Sequence, residues 1–583
     1  MKTILSGNAA VARGVYEAGA EVAAAYPGTP STEILEEIAA NYPEIYSEWS
    51  VNEKVAFEVA FGAALGGKRA IAVMKHVGVN VAADALMTAS YTGVNAGMVM
   101  VSADDPGMHS SQNEQDNRLF AHMAKIPVLE PADSQEAKDY AVLAFSISEE
   151  FDTPVMLRLT TRICHGRGIV EPGQRQTVAA RPYRKDPPKY VMIPAYARAR
   201  HAFVEGERRG RLQQYAETFA GNRIEMGDRA IGIISSGVAL QYAREAFPQA
   251  SFLRLGMPEP LPRQLVQDFA ARVDRLYVVE ELEPFLEDQL RAMGLDVTGK
   301  QVLPRTGELA PELVRQGISS GKVEPAAGAA PLPGRPPVLC PGCPHRGLFY
   351  ALKEVKATVT GDIGCYTLSV LPPLEMMDTC ICMGGSIGVG QGLARALEGK
   401  DADRVIAVLG DSTFVHSGIP SLVNAAYNQT NLTVIIADNG TTAMTGQQDH
   451  PGTGRTLQGE QVPQLDFEAL ARSVGVDKVI TVDPLDVDAT VQAVRAATEH
   501  QGPAVVIARR PCLFVDRDQY EGVVQVDAEL CTRCKLCLRL GCPAISLGAE
   551  AATVDPHLCV GCDLCVEICP QHAFTRTPQE IKA

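Results

Sequence analysis

The chain has 583 residues, 46% hydrophobic and 21% charged, with a formal net charge of −16. Such a composition builds ordinary soluble cores, roughly three to five domains at this length, and its acidity argues against nucleic acid as a partner. No apolar run reaches the ~18 residues of a transmembrane helix, and Arg13 and Glu17 interrupt the first apolar stretch where a signal peptide needs an unbroken core. A cytoplasmic protein away from any membrane is therefore expected.

From residue 1 to 175, apolar runs at Ala20–Ala25, Arg69–Met74, Gly97–Ser102 and Pro154–Leu159 alternate with Ala-rich helical segments. This alternation predicts an α/β domain with a parallel sheet. The first run ends in Tyr26-Pro27-Gly28-Thr29-Pro30, and Ser31 stands where it would cap the next helix. Val51-Asn52-Glu53-Lys54 opens an Ala/Gly-rich helix. Glu53 suits that N-terminus through the helix dipole alone. The polar loop Asp104–Glu114 follows a strand end and reads equally as a pocket lining or a solvated surface. Residues 176–335 are Pro-rich at both ends, with strands expected at Ala230–Ser235, Ser251–Leu255 and Leu276–Val279 and no catalytic constellation. The Ala, Pro and Gly of Pro325–Pro337 predict a linker.

Residues 336–520 open on Cys340-Pro341-Gly342-Cys343-Pro344-His345, with Cys365 and Cys512 further on. His345 reads as a core histidine or a neighbour of the site. Single cysteines are commonly buried free thiols, less so a Cys-x2-Cys pair. The run Met383-Gly384-Gly385-Ser386-Ile387-Gly388 lets backbone approach a phosphate at a helix N-terminus. Arg404–Leu409 and Leu432–Ala437 read as strands flanking a helix, Ile419–Tyr427. The strands end in Gly410-Asp411-Ser412 and Asp438-Asn439-Gly440, where an α/β unit binds ligands. Asp411 and Asn439 are hard oxygen donors suited to Mg²⁺ with a diphosphate, although turn residues of an ordinary βαβ unit would look alike.

Of the 15 cysteines, eight lie between Cys531 and Cys569. Without a signal peptide they point to metal rather than disulfides. Cys531-x2-Cys534-x2-Cys537-x4-Cys542-Pro543 and Cys559-x2-Cys562-x2-Cys565-x3-Cys569-Pro570 form the bacterial two-cluster ferredoxin pattern, in which the fourth Cys of each run serves the other cluster. One [4Fe–4S] cluster then takes Cys531, Cys534, Cys537 and Cys569, the other Cys559, Cys562, Cys565 and Cys542. The first run carries one extra residue, a local insertion. Zinc is the alternative that the prolines disfavour.

The strand-end pair resembles the thiamine diphosphate motif, GDG followed about thirty residues later by NN, with Ser412 in place of the third Gly and Asp438 in place of the first Asn. That resemblance implies Gly384, Gly385, Gly410, Asp411, Ser412, Asn439 and Thr441 at the cofactor, with Mg²⁺ on Asp411, Asn439 and the carbonyl of Thr441. The helix at Glu53 resembles that of pyrimidine-binding domains, whose Glu bonds the aminopyrimidine and favours its imino tautomer. CPGC resembles the cofactor-domain opening of the 2-oxoacid:ferredoxin oxidoreductases. It implies a third [4Fe–4S] cluster near the thiamine, on Cys340, Cys343, Cys365 and Cys512.

With YPGTPSTE, MKHVGVN and DDPGMHSSQNEQDNR, the whole chain resembles the large (alpha) subunits of the indolepyruvate-oxidising members of that family. The resemblance implies four domains: 1–175 pyrimidine-binding, 176–335 a middle domain like the third domain of transketolases, 336–520 diphosphate-binding, and 521–583 ferredoxin. It implies oxidative decarboxylation of an arylpyruvate with coenzyme A, with ferredoxin as acceptor and Thr29 at the substrate. A separate small beta subunit in an alpha2beta2 assembly is implied as well. The same chemistry on another 2-oxo acid, or a non-redox thiamine decarboxylase, remains open at this point.

Overall fold

The computed structural model describes residues 2–179, 181–323 and 336–577. The chain divides into two compact units, 1–330 and 331–583. The expected linker Pro325–Pro337 lies, up to residue 335, outside the described residues.

In the first unit, apolar runs without polar alternation make strands buried on both faces, as a helix-covered parallel sheet requires. Every residue of Ala70–Lys75 and Met98–Asp104 is buried. Six strands lie in the order Tyr46–Trp49, Val22–Ala25, Ala70–Lys75, Met98–Asp104, Val155–Thr160 and Val128–Leu129, and every pairing is parallel. Of this sheet's strands, the first in the chain, Val22–Ala25, is second in the sheet, and the order reverses between it and Ala70–Lys75. Helices Glu53–Leu65 and His76–Thr92 cover one face, packing Phe57, Ala60, Val79 and Leu86 on Ala72, Met74 and Met100.

A second sheet of this unit orders Leu276–Val279, Asp228–Ser236, Ala250–Leu255 and Arg223–Glu225, with the last strand antiparallel. Its three parallel strands are those expected. Between the two sheets lies a buried ionic cluster. Arg118 reaches Asp116 at 2.5 Å and Glu280 at 3.1 Å, and Arg158 reaches Asp104 at 2.8 Å and also pairs with Glu130. Burial raises Glu280 and Glu281 to about 7, against the opposing pull of Arg118 on the former and of the Leu309 amide on the latter.

The second unit repeats the six-strand order: Thr379–Cys380, Thr358–Gly361, Val405–Gly410, Leu432–Asp438, Pro503–Arg509 and Lys478–Val482, again all parallel. The reversal falls between Thr358–Gly361 and Val405–Gly410. Residues 523–577 add two small antiparallel ribbons, Val523–Val526 with Phe574–Thr577 and Ile545–Leu547 with Ala552–Val554. They share a core with the sheet domain, in which Tyr350 and Val487 pack with Val524, Leu540, Leu564 and Phe574.

Removing one member of a buried ion pair strands its partners without water. Arg158→Met leaves Asp104 and Glu130 uncompensated and should destabilise the first unit by about 3–5 kcal/mol. Urea unfolding followed by the fluorescence of the single tryptophan, Trp49, reads that unit. An unchanged midpoint would show that the cluster carries no stability.

Candidate active site

Ligands of a parallel α/β sheet sit outside the carboxyl ends of the strands where their order reverses. In the first unit that place gathers three sequence motifs. Gly28, from the YPGTP turn, packs so closely on Lys75 that a Cβ there would lie 2.9 Å from the lysine Cβ. Thr29 follows, half-buried, with its carbonyl 3.5 Å from Ser110 Oγ. Ser31 stands at the N-cap of helix Thr32–Asn41, but its hydroxyl donates back to the carbonyl of Gly28 at 3.0 Å instead of capping. Glu53 is the first residue of its helix and is buried, with Asn52 as the cap. Gly78 is a glycine because a Cβ there would lie 2.6 Å from Glu53 Cγ.

Lys75, which composition and spacing did not single out, stands at the centre of this group. Its side chain is 8% exposed and Nζ donates to the carbonyl of Ser110 at 2.6 Å. Burial lowers its pKa to about 8, against the attraction of Asp105. The loop Asp104–Glu114 is buried at its start and exposed further on: Asp105 is buried and accepts hydrogen bonds from Ser110 and Ser111, while Met108 and His109 face solvent.

The corresponding point of the second unit is built around two buried aspartates. Asp362, at the end of Thr358–Gly361, accepts the amides of Gly384 at 2.8 Å and Ser386 at 2.9 Å. It fixes the glycine run as the entry to helix Ser386–Ala396. Gly384 has φ +82°, and a Cβ there would meet Ser417 Cβ at 2.4 Å, so no other residue fits. Asp411 accepts the amides of Ser412 and Gly440, both at 2.8 Å. Burial would raise its pKa, but His450, at 3.2 Å, and these amides hold it below the usual carboxylate range. The Gly440 bond ties the Asp411 loop to the loop of Asn439 and Thr441, both buried.

The two departures from the thiamine motif have local reasons. Ser412 Oγ accepts from Thr442 Oγ1 at 2.9 Å, and Asp438 pairs with Arg509 at 2.7 Å. His345 lies nearby in the core, its pKa lowered by burial to about 4 against the pull of Asp411. Oxygen donors on two tied loops facing an ordered glycine turn fit Mg²⁺ with a diphosphate.

The eight C-terminal cysteines line two separate hollows. Cys531, Cys534, Cys537 and Cys569 surround one, and Cys542, Cys559, Cys562 and Cys565 the other, the exchange of fourth cysteines expected from their spacing. The extra residue of the first run is absorbed by the 3-10 helix Leu536–Leu540, which ends on Gly541 at φ +63°. Cys340, Cys343, Cys365 and Cys512 also come together. Burial, with Cys340 and Cys365 alongside, pushes Cys343 up to about 12, and burial with Cys512 and Cys340 pushes Cys365 up to about 11. Four cysteines are the ligand complement of a [4Fe–4S] cluster, so the residue types fit one. The Cys512 amide donates to the carbonyl of Asn439 at 2.9 Å, which hangs this quartet on the same loop as the candidate metal ligands.

Three family models match the chain: "Pyruvate flavodoxin/ferredoxin oxidoreductase, thiamine diP-bdg" over residues 13–217, "Thiamine pyrophosphate enzyme, C-terminal TPP binding domain" over 362–508, and "4Fe-4S binding domain" over 552–575. The chain is 44% identical to the indolepyruvate oxidoreductase subunit IorA of Archaeoglobus fulgidus, over 98% of this chain and 97% of that one. It is 42% identical to the IorA subunit of Pyrococcus horikoshii, over 99% and 97%. Among solved structures, a 2-oxoglutarate:ferredoxin oxidoreductase from Magnetococcus marinus aligns with a TM-score of 0.46 at 18% identity, over 55% of this chain and 65% of that one.

The contact between Gly78 and Glu53 gives a test that leaves the carboxylate itself in place. Gly78→Ala should displace the Glu53 side chain and lower turnover on the order of a hundredfold, with iron content unchanged. Full turnover in this variant would take the Glu53 position out of the site.

Proposed function

The chain belongs to the indolepyruvate oxidoreductase subunits of the 2-oxoacid:ferredoxin oxidoreductase family, thiamine-dependent enzymes that pass electrons through iron–sulfur clusters, and from that premise we propose that it oxidatively decarboxylates an arylpyruvate with coenzyme A. In balance, one 2-oxo acid, one coenzyme A thiol and two oxidised ferredoxins give one acyl-CoA, one CO₂, two reduced ferredoxins and a proton. Supporting this most directly is the Cys512–Asn439 hydrogen bond: a cysteine quartet beside the diphosphate loop lets electrons leave where the carbon chemistry happens.

Bound thiamine diphosphate supplies the electron sink that allows the carboxyl carbon to leave as CO₂. The chain's own residues then have separable tasks. Glu53 holds a proton at the pyrimidine ring nitrogen, a task suited to a buried carboxyl at a helix N-terminus. Thr29 and Lys75 hold the 2-oxo acid, with the ammonium of Lys75 facing the carboxylate. Asp411, Asn439 and the Thr441 carbonyl hold Mg²⁺. Asp362 keeps Gly384 and Gly385 turned so that the amides of the following helix meet the diphosphate. Gly410 and Ser412 bring the Asp411 backbone close to it. Cys340, Cys343, Cys365 and Cys512 hold a cluster beside this site, and the two ferredoxin quartets hold the next ones. A small subunit completes the enzyme, as two large and two small chains, with ferredoxin as the acceptor.

Ferredoxin reduction, measured across a panel of 2-oxo acids, should require both subunits and coenzyme A and be fastest with arylpyruvates. Full coenzyme A-dependent turnover by the large chain alone would sink the two-subunit reading, and a preference for pyruvate would sink the substrate assignment. Glu53→Gln should cut turnover about a hundredfold or more while cofactor and iron contents hold.

Lys75 is charged below about 8 and neutral above it, so KM for the 2-oxo acid should rise as pH passes that value. Lys75→Met should raise KM about ten- to a hundredfold at neutral pH and flatten that rise. A Lys75→Met enzyme with the wild-type KM profile would exclude it from the substrate.

A further inference from the structure

We propose that Arg346 is the electrostatic link between two of the cysteine quartets, a buried cation placed to raise the reduction potentials of the clusters on both sides of it. The inference rests on the reading of these quartets as [4Fe–4S] ligands and goes beyond it by assigning a residue that ligates nothing.

Arg346 lies in the first turn of helix His345–Glu354, directly after CPGCPH, and is 2% exposed. Its guanidinium is spread over four backbone carbonyls. Nε donates to Cys340 at 3.1 Å and one terminal nitrogen donates to Leu339. The other donates to Leu540 at 2.9 Å and to Gly541. Two acceptors thus belong to the CPGC loop and two immediately precede Cys542. The same side chain lines the hollow of Cys542, Cys559, Cys562 and Cys565, together with Pro341 and Gly342 of the CPGC loop. One wall of a ferredoxin site is therefore made by the cysteine loop of the other domain, and Arg346 stands in that wall.

All four acceptors are uncharged. Among the described residues no carboxylate pairs with Arg346, unlike Arg118 and Arg158 of the first unit. Burying a guanidinium against neutral acceptors alone is costly, and an anionic cluster in the adjoining hollow would offset that cost.

A thiolate-bound cluster gains one negative charge on reduction, and nearby charge and hydrogen bonds set its potential. A fixed cation favours the reduced form of each neighbour, and more strongly at low dielectric. Electron passage between the two sites oxidises one cluster by one electron and reduces the other by one. It makes and breaks no bond, and the electrons come from the 2-oxo acid. The remaining hollow, of Cys531, Cys534, Cys537 and Cys569, has Arg533 and Lys535 on its wall but not Arg346, and so provides an internal reference.

The test is an EPR-monitored redox titration of the holoenzyme and of Arg346→Gln and Arg346→Lys. The Gln variant should shift the couples of the two adjacent clusters to lower potential and leave the reference couple in place, while Lys should keep all three near wild type. No shift at full iron content, an equal shift of all three couples, or a Lys variant displaced as far as Gln would overturn the proposal. Should Gln lose iron from the two sites, Lys decides. Full iron and wild-type potentials would confirm the need for charge, whereas iron loss in Lys too would reduce Arg346 to a clamp on carbonyls. The wild-type iron count separates this from the underlying reading. About twelve irons per chain supports three clusters, and about eight removes the CPGC cluster, while the Cys542 couple still tests Arg346.

Discussion

The inner strands of a parallel sheet have their backbone polar groups paired, and the natural opening of the sheet lies where two neighbouring crossovers leave in opposite directions. Both six-stranded sheets of this chain have the same strand order and therefore the same opening. The candidate site residues of the two sheet domains lie at it. Strand ends separated by tens of residues deliver Thr29, Glu53 and Lys75 to one opening and Asp362, Asp411 and Asn439 to the other. Chain folding does the gathering, and the side chains need only be correct at the end of a strand or within the few residues that follow it.

Such an opening is dry, so each charge in it must be held. The second unit does this with backbone amides: Asp362 and Asp411 each accept main-chain N–H groups from a neighbouring loop. These bonds do two things at once. They satisfy a buried carboxylate, and they fix the loop proposed to meet the diphosphate. The first unit settles its charges differently, by opposing whole guanidinium groups to carboxylates between its two sheets. That cluster bridges the two sheets, and residues 176–335, which show no catalytic pattern, contribute to it two glutamates raised to about 7.

What could be read from the sequence follows from how local each signal is. The ferredoxin quartets were legible because short cysteine spacings constrain the geometry of a cubane directly, and the hollows group the cysteines as those spacings require. Most of the long buried strands were legible within one or two residues from their apolar runs, but Pro503–Arg509 and Lys478–Val482 were not expected. Tyr46–Trp49, Val128–Leu129 and Thr379–Cys380 were not, since strands of two to four residues carry no period. Lys75, Asp362 and Arg346 were missed for a different reason: each owes its role to partners far along the chain. A lysine closing an otherwise apolar strand, as in AIAVMK, was the available sign of the first. Nothing local marks Arg346, whose acceptors at Leu540 and Gly541 lie almost two hundred residues away in the sequence.

The C-terminal ferredoxin segment is built into the second unit rather than tethered to it. Helix His345–Glu354 approaches closely because position 347 is glycine. A Cβ there would lie 1.8 Å from the carbonyl of Pro484 and 3.1 Å from a methyl of Leu564, between the cofactor domain and the helix that carries Cys565. Tyr520 adds a hydrogen bond to the Gly342 carbonyl at 2.9 Å. A tethered carrier would have to find its donor by diffusion and re-form its contacts for each electron. A shared core fixes the separation of the two cysteine sites once, at folding, and lets a single buried cation act on both. The same argument explains why the connection is made at the CPGC loop. It is the one segment of the sheet domain that carries cysteines of its own and also reaches the wall of a ferredoxin hollow.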